Sequence, residues 1–70
     1  MICRISWPVP GEAPGVTYTP VSEDACHFFV RSNVTGQDYR IPHRNVYVVN
    51  FVGEPQEHKS IISSYIEGRS

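Results

Sequence analysis

A chain of 70 residues, 40% hydrophobic and 19% charged, can build one small core but has no length for a second domain or a separate catalytic lobe. Its net charge of -1 provides no global field for nucleic acid or an anionic membrane, so recognition of either must be local. The opening MICRISWPVPGEAPG lacks a basic segment followed by a long apolar run; neither a secretory leader nor a membrane-spanning helix is expected, and the chain reads as cytoplasmic.

In ICRISW, residues 2–7, Cys3, Ile5 and Trp7 alternate with Arg4 and Ser6, the pattern of a half-buried strand. WPVPGEAPGV then places three prolines and two glycines in ten residues, which removes backbone donors and fixes φ repeatedly, so a loop is required. VTYTPV, 16–21, is β-branched and aromatic, and Pro20 assigns it to a sheet edge or a bulge. CHFFVRS and DYRI flank NVTG and predict a hairpin, with strands near 26–32 and 38–41.

A four-residue loop over 34–37 sets Val30 opposite Ile41 and Arg31 opposite Arg40, and collects Phe28, Val30, Tyr39 and Ile41 on one apolar face. A three-residue loop with a left-handed Gly36 sets Arg31 opposite Tyr39 and mixes the faces. The first register is preferred, because a one-residue slip sends an entire apolar set to the wrong side. NVYVVNFV, 45–52, is apolar on both faces apart from Asn50 and reads as a central strand, with a bend before it at Pro42. The period then changes: Ile61, Ile62, Tyr65 and Ile66 form a helical stripe, Pro55 suits the first turn, Glu57 the N-terminal end and Gly68 a stop, which predicts a helix near 56–67.

One domain is expected over 1–70, mainly β with a C-terminal helix. Short antiparallel strands in so small a chain favour an SH3-like, partly open barrel; the alternative is a three- to four-stranded antiparallel sheet with one packed helix. FFVRSNVTGQDYRIPHRNVYVV, a hairpin leading into an Ile-Pro step and then Asn-Val-aromatic-Val, resembles the end of small SH3-like barrels encoded by short bacterial and phage open reading frames. That resemblance implies the barrel fold. Its families include adaptors, nucleic-acid binders and inhibitors of host proteins, so no residue role is carried over.

Cys3 and Cys26 in a reducing compartment are expected as two packed thiols, and the NVT acceptor pattern at 33–35 is discounted without a secretory route. Cys3, Cys26, His27, His43 and His58 supply zinc-ligand types, but Cys26 and His27 are adjacent and no spaced ligand pair exists, so neither metal nor cofactor is expected. Pairing Cys26 with His43, or Ser22 with a histidine and Asp24, writes a catalytic group that any small chain with these residue types allows; the chain is expected not to be an enzyme.

Five of the six basic residues are arginine, whose planar fork suits carboxylate and phosphate. In the preferred register Arg31 and Arg40 face one another, with Phe29 beside them, and something negative must neutralise them: Glu23, Asp24 or Asp38 within the chain, or an external anion. The expected function is a non-enzymatic protein-binding module, an adaptor or inhibitor, docking through Phe29, Arg31, Arg40, His43, Arg44 and Tyr47. The alternative is a single-stranded nucleic-acid binder using the same face. A homodimer burying Ile61, Ile62, Tyr65 and Ile66 or the two-sided strand is a further expectation.

Overall fold

Alternation gives each strand one apolar face, and the faces converge on a single core. The protein's structure, a computed structural model, describes every residue except Trp7, Pro8, Pro14 and Ser70, and Arg69 through its backbone alone. The expected inward position of Trp7 therefore lies outside the described residues. Five antiparallel strands run β1 (Cys3–Ile5), β2 (Tyr18–Glu23), β3 (His27–Ser32), β4 (Asp38–Pro42) and β5 (Val46–Val48), with a 3-10 turn at His43–Asn45 and a helix, α1, over Pro55–Arg69. They form one open sheet in the order β4-β3-β2-β1-β5. The fold is thus small, α+β and mainly β, as expected.

Cys3, Tyr18, Phe28, Val30, Ile41, Val46 and Ile62 are buried together, with Tyr39, Val48 and Ile66 packed against them. The hairpin register differs from both expected ones. Phe28 pairs Ile41, Phe29 pairs Arg40, Val30 pairs Tyr39 and Arg31 pairs Asp38. The loop is four residues long but occupies 33–36: the Ser32 amide donates to the Gln37 carbonyl at 2.9 Å, and Gly36 takes a φ of 77°. Sliding the loop by one residue moves the pairing by two, so the apolar face survives while Arg31 exchanges Arg40 for Asp38. Ser32 decides this, because its Oγ accepts the Val34 and Thr35 amides at 3.2 and 3.1 Å and starts the turn one residue early.

Pro20 stands at a bulge, since the register shifts between Pro20 and Ser22, but β2 lies inside the sheet rather than at its edge. The opposite correction applies to 45–52. This stretch contributes only Val46–Val48, and it lies at the edge beside β1. Asn50 ends it by adopting a φ of 67°, a left-handed turn that asparagine tolerates better than branched residues do. Val46 is buried, Tyr47 faces out and Val52 is almost fully exposed, so no continuous two-sided apolar strand exists.

The helix packs on β5, β2 and the 3-10 turn. Pro55 opens it, and the Glu57 carboxylate accepts the Glu54 amide at 2.9 Å, one half of a capping box. Gly68 lies within the helix and does not stop it. Gly53 allows the tight entry, since a Cβ there would come within 2.6 Å of the Phe51 ring. Among the described residues no helix is long and apolar enough to cross a membrane.

Candidate functional site

Directly paired residues on antiparallel strands project to the same side, so β3 and β4 together place Phe29, Arg31, Asp38 and Arg40 on the outer face of the sheet. The Arg31 guanidinium donates to both Asp38 oxygens, at 2.8 and 3.2 Å. This bond holds the Asp38 carboxyl below its ordinary range and raises Arg31. Arg40 donates to Asp24 Oδ2 at 3.3 Å. The other Asp24 oxygen accepts the Cys26 and His27 amides at 2.9 and 2.7 Å, closing the β2–β3 turn; the Cys26 amide leads in lowering Asp24, followed by the His27 amide and Arg40. The two arginines are therefore neutralised within the chain, by two of the three carboxylates considered from the sequence.

The remaining residues of the expected surface are dispersed. His43 turns inward, its ring 4.4 Å from that of Phe28 and its Nε2 3.5 Å from Glu23 Oε2. Arg44 is exposed on the 3-10 turn. Tyr47 sits on β5, at the opposite end of the strand order from β4. Its cross-strand partner is Arg4, which makes no ion pair among the described residues. One ladder bond further, where the Val49 amide donates to the Ile2 carbonyl at 3.1 Å, Ile2 is also exposed. Tyr47, Ile2 and Arg4 thus occupy one outer side of the β1–β5 pair, an aromatic, an aliphatic and an arginine that makes no ion pair among the described residues.

On the helix, Ile62 is fully buried, Ile66 packs against the core, and Ile61 and Tyr65 are half-buried. The same side carries His58, four residues before Ile62, and it too is buried. Its Nδ1 accepts the Val48 amide at 2.8 Å, and its ring stands edge-on to those of Phe51 and Tyr47 at 4.9 and 6.3 Å. That hydrogen bond requires Nδ1 to carry no proton. The spacing 58, 62, 66 makes His58 legible as part of the buried stripe, whereas residue type alone places it only among the candidate zinc ligands.

The cysteines divide. Cys3 is buried, and burial raises its thiol to about 11, whereas Cys26 is exposed and not packed as expected. Among the described residues no group of three or more His, Cys, Asp or Glu side chains is placed to hold a metal ion. The chain matches no protein-family model, no curated protein and no solved structure.

Proposed function

We propose that this chain is a non-enzymatic protein-binding module, an adaptor or inhibitor, whose docking surface is the outer face of the β1–β5 pair. The observation that carries this reading is the cross-strand pairing of the exposed Tyr47 with Arg4, which makes no ion pair among the described residues. An exposed aromatic anchor with an arginine is the composition of interface hot spots, and a carboxylate on the partner completes it. Arg31 and Arg40 take part less, because a docking anion has to displace Asp38 and Asp24 first.

A nucleic-acid phosphate meets the same obstacle on the β3–β4 face, and the net charge of -1 adds no attraction. Self-association through the helix has little left to use, since Ile62 and Ile66 already serve the chain's own core.

The test compares proteins recovered with tagged wild type, Arg4→Glu, Tyr47→Ala and Arg31→Ala from the native host. Loss of the same partner with the first two substitutions and its retention with the third supports the reading; a partner unaffected by Arg4→Glu and Tyr47→Ala removes it. Binding of a labelled oligonucleotide at low salt, weakening steeply as salt rises, favours the nucleic-acid alternative.

A further inference from the structure

Val9 and Val16, which flank Glu12 between β1 and β2, both pack against the core. A turn follows the first of them: the Glu12 amide donates to the Val9 carbonyl at 3.1 Å, with Pro10 and Gly11 between them. Proline presets the first central position and Gly11, at a φ of 85°, the second, as a type II turn requires. Gly15 also takes a positive φ, of 84°. Glu12, the one charged residue between Val9 and Val16, is thus flanked in sequence by two glycines in the left-handed region.

Its carboxylate enters a cradle of hydroxyls. One oxygen accepts from the Tyr18 hydroxyl and Ser32 Oγ, each at 3.3 Å, and the other from Thr35 Oγ1 at 3.2 Å and the Tyr39 hydroxyl at 3.1 Å. The donors come from β2, the end of β3, the turn and β4, so the tertiary fold assembles the cradle. Two donors to each oxygen fit a carboxylate's roughly four acceptor positions. Every contact is longer than the roughly 2.5–2.7 Å of a strong hydroxyl–carboxylate bond. Several loose bonds that act together hold a group that can also leave. Tyr39 has a second acceptor at hand, Gln37 Oε1 at 3.1 Å, to accept its hydroxyl hydrogen bond when it does.

We propose that these four hydroxyls are a carboxylate-binding site, latched by the chain's own Glu12 and open to an external carboxylate when the Glu12 side chain turns out. The site recognises its anion through neutral donors, and Glu12 competes with any incoming acidic group.

Glu12→Ala empties the cradle while keeping its donors, and sodium formate is the probe, with sodium chloride at matched ionic strength as control. The variant is expected to melt below wild type. Formate is expected to raise its melting temperature saturably and to leave wild type unmoved, because a ligand stabilises only the folded state it occupies. Adding Tyr39→Phe to Glu12→Ala is expected to reduce that rise. Equal effects of formate and chloride on Glu12→Ala, or equal formate shifts in variant and wild type, overturn the proposal. Should Glu12→Ala not fold, Glu12→Gln is followed by hydrogen exchange at the amide of residue 12: faster exchange than in wild type supports the latch, and unchanged exchange overturns it.

Discussion

The β4 and β5 edges of the sheet share one problem, a row of backbone groups without a neighbouring strand, and meet it with different chemistry. β4 protects itself. Asp38 and Arg40 put charge on its exposed side and Pro42, at its end, has no amide to offer, so a second strand gains little by pairing there. β5 depends on a distant element: the Val48 amide is taken by His58 of α1, and the helix covers the strand. Protection by a strand's own residues costs little stability when altered, whereas protection through tertiary contact makes the edge and the core one cooperative unit.

The strongest way to break this contrast is to loosen the helix. Ile62→Ala removes a fully buried side chain and is expected to cost about 2–5 kcal/mol in denaturant unfolding. A loss below about 1 kcal/mol would mean that α1 is not structural cover for β5. His58→Ala should cost less, roughly 1–3 kcal/mol for the Val48 amide left without an acceptor, with hydrogen exchange at Val48 rising selectively. Unchanged exchange there would remove the edge-capping role.

Alkaline pH probes the other side of the molecule. Burial raises the Tyr18 phenol to about 12, with Glu12 adding to the effect, against an ordinary value of 10.0. The folded state holds this proton more tightly than the unfolded state, so its contribution is complete below pH 10 and is lost as pH rises toward 12. The thermal midpoint of wild type should fall across that window more steeply than that of Tyr18→Phe. Parallel profiles for the two proteins would exclude Tyr18 as the source.

The smallest expected stability effect lies at the β4 edge. Replacing Asp38 and Arg40 together by valine should leave the denaturation midpoint nearly unchanged, because both belong to exposed ion pairs. It should nevertheless increase particle mass in light scattering as the edge loses its charges. Stable monomers of 7.9 kDa at high concentration would show that Pro42 and the strand's short length suffice.

Local pattern made much of the fold legible. Alternation located the strands and the inward set Phe28, Val30, Tyr39 and Ile41; the 61, 62, 65, 66 stripe located the helix; Pro20 announced the bulge. Each of these rests on neighbours in sequence, where side-chain period and backbone restriction act directly. The strand order, the hairpin register and the candidate sites depend on contacts between distant residues. An apolar run marked 45–52 as central, yet Asn50 ended the strand and pairing with β1 placed it at the edge. Nothing near Glu12 signals its four hydroxyl partners, which lie 6, 20, 23 and 27 residues away. Composition marked arginine as the recognition residue, but charge becomes a site only where no carboxylate answers it. Chain folding decided that Arg31 and Arg40 meet Asp38 and Asp24 while Arg4 stands beside Tyr47 without an ion-pair partner among the described residues, because electrostatic pairing is set by distance in space.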